Sequence, residues 1–275
     1  MRTCFRMALG SCLALVMLCT LVACNGEVLP PVDEIVDGFL EAQENITTCR
    51  QEINMDMNMK ITSGGQSGRI VISMRADGDM NFPDREMRMD MNMTMSISAA
   101  GQSERIEGDI LMYVIDDAEY TKIDMPGEYS GWQKSILSAF ELEQTWSEAS
   151  YTSALADLLE GSDATVKKVQ NIGGVPCYLL EVRPSTSALA DFIEQQQLGD
   201  VADLGFDFSE MFRSFTIRYW IAKDSYDIMK GIIDATLYME EAGDKLEGSM
   251  TLELNARDYG VPVSIELPAA ALMAD

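Results

Sequence analysis

The sequence predicts an α+β fold, one large antiparallel sheet with helices against one face. Long segments alternate apolar and polar residues with period two, which marks strands with a single buried face. Shorter stretches space their apolar residues at helical intervals. The order is helix, long meander, helices, meander, without strand–helix alternation, and that order is the α+β pattern.

Residues 32–46 carry Ile35, Val36, Phe39, Leu40 and Ala42 at helical spacing, with acids between them, and predict one amphipathic helix. From Cys49 the period becomes two. Ile53, Met55, Met57, Met59 and Ile61 alternate with Asn54, Asp56, Asn58 and Lys60. A Gly-rich turn at 63–68 leads to a return strand with Ile70, Ile72 and Met74. After a turn at 77–79, Met87, Met89, Met91, Met93, Met95 and Ile97 form a longer alternating strand. It turns at 101–103 and returns through residues 106–115.

These two hairpins repeat one another. The run Met55-Asp56-Met57-Asn58-Met59 recurs as Met89-Asp90-Met91-Asn92-Met93, an offset of 34. The turn Gly65-Gln66-Ser67 recurs as Gly101-Gln102-Ser103, an offset of 36. An insertion of two residues preserves which face each side chain takes, so both hairpins present Met to the same side. Further on, residues 120–124 predict a short strand, and 133–147 and 151–160 two helices. Residues 165–169 and 178–182 predict strands, and 185–197 a helix after Pro184. Three more antiparallel strands follow at 215–222, 228–239 and 248–255. Val261-Pro262-Val263-Ser264-Ile265 predicts a last edge strand, since proline cannot donate to a ladder.

The N-terminus is a separate matter. Arg2 and Arg6 precede an uncharged apolar run from Met7 to Ala23. This is the build of an export signal and is too short and interrupted for a spanning helix. Its end, Leu21-Val22-Ala23-Cys24, resembles the lipobox of bacterial lipoproteins, and Leu21 is too large for ordinary small-x-small cleavage. The resemblance implies cleavage before Cys24 and acylation of its thiol, with several chains (palmitate among them) on one residue, since one chain anchors only marginally. The expected organisation is a signal at 1–23, a lipidated tether at 24–31 and one domain at 32–275. The expected location is the extracytoplasmic side of a cell membrane or outer membrane.

Loss of Arg2 and Arg6 takes the net charge from −25 to −27. Such a chain repels nucleic acid and anionic headgroups, so its one expected membrane contact is the anchor. There is no His, which removes the commonest general base and metal ligand and every Ser-His-Asp or Cys-His system. No phosphate-binding or dinucleotide motif and no metal-type Cys cluster occurs. The expectation is a protein that is not an enzyme and takes no cofactor. Beyond the signal and Cys24, only Cys49 and Cys177 remain. In an oxidising compartment they form either a disulfide or two buried thiols.

Several stretches carry a wider resemblance. They are the lipobox Cys, the first helix, the alternating opening strand, Gly173-Gly174-Val175-Pro176-Cys177-Tyr178-Leu179, Tyr219-Trp220-Ile221-Ala222-Lys223-Asp224, and Asp258-Tyr259-Gly260-Val261-Pro262-Val263. Together they resemble the LolA/LolB-like lipoprotein carriers, and more closely the mycobacterial LppX/LprG-type lipoproteins. That group implies a curved half-barrel sheet whose concave face is covered by helices around an apolar cavity. It implies as ligand a lipid, acyl chain or other apolar small molecule, and no catalytic residues. An envelope transport partner is not specified.

The methionines admit three readings. Met as filler beneath a helix layer gives an interaction lipoprotein with a filled core. Met as a compliant, polarizable lining suits a flexible apolar ligand. Its expected lining is Met55, Met57, Met59, Ile72, Met74, Met89, Met91, Met93, Met112 and Trp220. Met as thioether ligand suits Cu(I), although neighbours at i and i+2 stand about 6.6–7 Å apart and no His or spare Cys assists. The intervening Asp56, Asn58, Asp90 and Asn92 are expected on a solvated outer face rather than as a hydrolytic pair.

Overall fold

The computed structural model describes residues 28–127, 131–150, 158–159, 162–189, 211–241 and 243–274. The chain divides into two compact units, Met1–Pro30 and Pro31–Asp275, and the second holds every element that follows. The signal and Cys24 lie outside the described residues, as do most of the helices expected at 151–160 and 185–197. No helix among the described residues is long and apolar enough to cross a membrane.

Helix α1 (Val32–Glu44) opens the domain. The strands of the first meander are β1 (Thr48–Ser63), β2 (Gln66–Asn81), β3 (Glu86–Ala99), β4 (Gln102–Ile115), β5 (Ala118–Asp124) and β6 (Trp132–Ile136). Helix α2 (Ala139–Ser150) follows. The second meander is β7 (Ser162–Ile172), β8 (Val175–Pro184), β9 (Phe212–Ala222), β10 (Ile228–Glu241) and β11 (Asp244–Arg257). All eleven form one unclosed, curved antiparallel sheet in the order β6-β5-β4-β3-β2-β1-β11-β10-β9-β8-β7. The chain enters at the centre, walks out to β6, crosses to β7, and walks back until β11 lies beside β1.

Three expected elements differ. The turn expected at 77–79 lies inside β2, where Asp77, Gly78 and Asp79 pair Glu52, Gln51 and Arg50, and the chain turns instead at 82–85. Residues 133–136 belong to a strand, not a helix: Ala118 pairs Ile136 and Lys122 pairs Trp132. Residues Trp132 to Ile136 follow the turn at Pro126-Gly127, which sends the chain back along β5. The helix starts after Ser138 in a capping box. The Ser138 hydroxyl accepts the Glu141 amide at 3.2 Å, and the Glu141 carboxylate accepts the Ser138 amide at 2.7 Å. The segment 261–265 joins no ladder. Both sides of β1 are taken by β2 and β11, so the segment is held at the β1 start instead. The Gly260 amide donates to the Thr48 carbonyl at 3.0 Å, and the Thr48 hydroxyl donates to the Val261 carbonyl at 2.8 Å.

The core lies on one face of the sheet, in two clusters. Ile35 and Phe39 of α1 pack with Leu180, Val182, Ile217, Ile221 and Ile228. Trp146 of α2 packs with Cys49, Met80, Met87 and Val114. This helix-bearing side is the inner face. On the outer face Cys177, Leu179 and Trp220 form a small cluster of their own.

Candidate functional site

Register sorts the side chains of the inner face into rows across the strands. One row runs Leu252–Met55–Met74–Met93, as Met55 pairs both Leu252 and Met74, and Met74 pairs Met93. The next runs Met250–Met57–Ile72–Met95, and the one beyond it Met59–Ile70–Ile97. Toward the helices, Met91 pairs Ala76 and Ile110, and Met89 pairs Met112. The repeated hairpins therefore present their methionines on one side, as the two-residue insertion requires.

Nine of the ten expected lining residues share this face. Met89 and Met112 pack against the Cys49–Trp146 cluster. Met55, Met57, Met59, Ile72, Met74, Met91 and Met93 are half-buried and lie outside the three buried clusters formed by described residues. Trp220 does not join them. It pairs Leu179 and Lys230 on the outer face, and its indole donates to Gln170 at 3.3 Å. Residues 219–222 are apolar on both sides, but Ser214, Thr216 and Arg218 share the parity of Trp220 and mark its face as the outer one. The inner positions of β9 fall to Ile217, Tyr219 and Ile221.

Cys49 and Cys177 are both free and buried, which corrects the disulfide reading. Cys49 faces inward on β1 and Cys177 outward on β8. The strands between them are β11, β10 and β9, so the two stand four strand spacings, roughly 19 Å, apart. No disulfide spans that distance. Burial pushes the Cys49 thiol up to about 11 and raises that of Cys177 as well, so neither is a nucleophile at neutral pH.

The outer face is polar, as expected for Asp56, Asn58, Asp90 and Asn92. The Asp56 carboxylate accepts the Ser73 hydroxyl at 2.7 Å, and Asn58 accepts Arg69 at 2.8 Å. Asp90 pairs Arg88 at 3.1 Å, and the Asn92 amide donates to Asp109 at 2.6 Å. Each acid is spent on a neighbour, and no two of them face one another as a catalytic pair. Among the described residues no group of acids and thiols could hold a metal ion.

Every Lys and Arg carried by a strand has outer parity or pairs outward. Arg50 bridges Asp79 and Asp258, Arg75 pairs Glu52, and Arg218 pairs Asp234. Lys60 faces Arg69, Arg105 pairs Glu107, and Lys230 pairs Glu253. Lys167, beside the β7 irregularity, pairs Glu181 at 3.2 Å, and Arg213 lies over the Tyr238 ring at 3.6 Å. The charged strand residues of inner parity are acids: Glu104, opposite Ile97, Glu119, opposite Val114, and Glu241, opposite Asp244. Two clefts of described residues lie elsewhere. One, of about 460 Å³, sits at the hairpin tips by Lys60, Arg69 and Gln102. The other, of about 420 Å³, is bounded by Glu41, Asn45, Asp227 and Tyr259. In that second region Tyr259 donates to the Ile228 carbonyl at 2.6 Å, and burial pushes the pKa of both Tyr259 and Asp227 upward.

No curated protein matches the chain significantly in sequence. Among solved structures the chain is similar to the lipoprotein LppX of Mycobacterium tuberculosis, at 13% identity and a TM-score of 0.41, over 86% of this chain and 100% of that one. It is similar to LprF of Mycobacterium bovis at 11% identity and a TM-score of 0.46, over 86% and 96%. A Vibrio parahaemolyticus domain described as an outer membrane lipoprotein-sorting protein matches at 11% identity and a TM-score of 0.22, over 84% and 93%. A family model matches residues 31–274, and on that match the chain belongs to DUF6612, a family of unknown function.

Proposed function

We propose that the chain is a lipid-anchored, extracytoplasmic lipoprotein that binds or carries an apolar ligand against the inner face of its sheet. One observation carries this reading. Three adjacent rows, centred on Met55, Met57, Met59, Met74 and Met93, form a continuous apolar surface that stays half-exposed beside two fully buried clusters. Contiguous apolar surface of that kind marks a binding site. Unbranched, polarizable Met side chains adapt to a flexible partner. A buried acyl chain gains about 0.8 kcal/mol per methylene, enough for useful binding after ordering costs.

The test uses the mature chain, residues 24–275, carrying Cys24→Ser so that no acyl group of its own competes. Binding of an uncharged, environment-sensitive fluorescent probe is expected, and Met57→Asp with Met91→Asp should abolish it while circular dichroism stays native. A mature chain that binds no apolar probe would instead be an interaction lipoprotein with a filled core. The row Met55–Met74–Met93 favours one second reading, a thioether site for Cu(I); retention of Cu(I) against a chromogenic chelator would support it. For the anchor, Cys24→Ser in cells should end incorporation of labelled fatty acid, and continued acylation would exclude the lipobox.

A further inference from the structure

The repeated turns serve no purpose on the inner face. Gly65-Gln66-Ser67-Gly68-Arg69 closes one hairpin, and Gly101-Gln102-Ser103-Glu104-Arg105 closes the next. The two hairpins lie side by side, because β2 pairs β3. Each turns through two residues of positive φ, Gly64 and Gly65 at 58° and 80°, Ala100 and Gly101 at 51° and 81°. Such a turn folds a strand straight back beside itself. Strands β2 and β3 part after the Gly68–Ala99 pair. The cleft of about 460 Å³ at these tips is lined by both copies of the motif. Ser67 and Arg69 come from one copy, Gln102 and Ser103 from the other, and Lys60 and Ser98 complete it.

Register sets the charge of this cleft. One outer row runs Lys60–Arg69–Ser98–Ser103 across β1 to β4. Lys60 and Arg69 therefore stand directly opposite one another, and like charges so placed destabilise a sheet. The chain carries 45 acids against 20 bases, so a carboxylate beside the pair would be the ordinary remedy. Elsewhere on this face Arg75, Arg88, Arg105, Arg218 and Lys230 each bridge an acid. Lys60 and Arg69 have no ion pair among the described residues. Glu247, opposite Lys60 on β11, is held by Lys245 at 2.7 Å, so Lys60 reaches it only through its field. The Arg69 Nε donates to Asn58 at 2.8 Å, which steadies the guanidinium and leaves its two terminal nitrogens without a partner among the described residues. Both cations are exposed, so a ligand can reach them. In a chain that repels anions at long range, the cleft is a local exception.

The cleft offers two positive charges and the hydroxyls of Ser67, Ser98 and Ser103. A matching ligand carries two negative charges on oxygens that point in different directions. A carboxylate has one charge on two oxygens in a plane. A phosphomonoester carries about −1.5 to −2 at neutral pH on three oxygens, and a guanidinium can hold two of them at once. The volume lies in the range of sites for small organic molecules, and the Gln102 amide is available to a neutral hydroxyl. We infer that the paired hairpin tips form a site on the outer face for the phosphomonoester of a small polyol or sugar, with Lys60 and Arg69 on the phosphate. This site is independent of the apolar inner face.

Isothermal calorimetry on the mature Cys24→Ser chain at pH 8, with glycerol 3-phosphate, inorganic phosphate and glycerol as probes, tests it. Glycerol 3-phosphate should bind saturably and several-fold tighter than inorganic phosphate, and glycerol should not bind. Lys60→Gln and Arg69→Gln should each weaken glycerol 3-phosphate at least tenfold. Arg105→Gln removes a cation of the neighbouring row that Glu107 already neutralises, and should change binding less than threefold. Absence of saturable binding by both phosphates overturns the site. Inorganic phosphate binding as tightly as the ester overturns the polyol assignment. Binding that survives in the Lys60 and Arg69 variants, or falls equally in all three, overturns the role of the facing pair.

Discussion

Gly38 sits midway along α1, where alanine ordinarily stabilises a helix by about 1 kcal/mol. Here the sign should reverse. A Cβ on Gly38 would stand 2.7 Å from Cδ1 of Tyr226 and 2.8 Å from its Cε1 and Cγ. The ring cannot simply retreat. Tyr226 has a φ of 59°, in the left-handed region, and its amide donates to the Ala222 carbonyl at 3.0 Å. Forcing one carbon into such a contact costs about 1–3 kcal/mol, so Gly38→Ala should lose about 0–2 kcal/mol net after its propensity gain. With Tyr226→Gly the ring is gone and the positive φ is free. In that background the same substitution should gain about 1 kcal/mol. The cycle of four proteins should then show a coupling of about 1–3 kcal/mol between the two sites. Each kcal/mol moves the melting temperature by about 2–4 °C in a domain of this size. Thermal and urea unfolding of all four proteins measure it. If Gly38→Ala stabilises the wild type as much as it stabilises the Tyr226→Gly protein, α1 is not pressed against the 222–227 turn, and the packing described for it is wrong.

Further outcomes follow from particular contacts. Mature protein purified without reductant should yield two titratable thiols after unfolding and essentially none while folded, because Cys49 and Cys177 are free, buried and raised in pKa; absence of thiols in the unfolded protein would mean a disulfide. Ser138→Ala should cost about 1 kcal/mol in urea unfolding by removing the α2 cap, and Ser138→Asp should restore it. The Glu253 carboxyl is held below the usual carboxylate range by hydrogen bonds from Lys230 at 2.6 Å and Asn255 at 3.0 Å. A lowered folded-state value means stability present at neutral pH and lost as pH falls through it. The wild type should therefore exceed Glu253→Gln in stability at pH 7, and the gap should close as pH drops below about 4; a gap that widens in acid would reverse the assignment.

The first meander was legible because its strands are long, alternate cleanly, and are joined by turns with Gly64, Gly65 and Gly101 at positive φ. The shared face of the Met strands followed from parity alone, because a period of two has no intermediate states. β6 was not legible. Five residues with apolar ends fit the start of a helix as well as a strand, and what decides is the neighbouring edge of β5. The capping box Ser138-x-x-Glu141 was the signal that would have placed the helix start. Trp220 was misplaced because residues 219–222 are apolar on both sides, although Ser214, Thr216 and Arg218, two, four and six residues before it, already mark its parity as the outer one.

The strand order places the earliest strand of the chain beside the last. During synthesis β1 to β6 can close by successive short hairpins, each bringing together residues near in sequence. One flank of β1, sixteen residues long, then stays without a partner until β11 is made nearly two hundred residues later. For that interval the nascent half-sheet exposes an open, Met-rich edge of the kind that recruits a foreign strand. The acids and Lys60 on its alternate positions act as gatekeepers during the wait. A chain that stops before residue 244 would keep that edge for good, and should accumulate as aggregates rather than as a smaller folded protein.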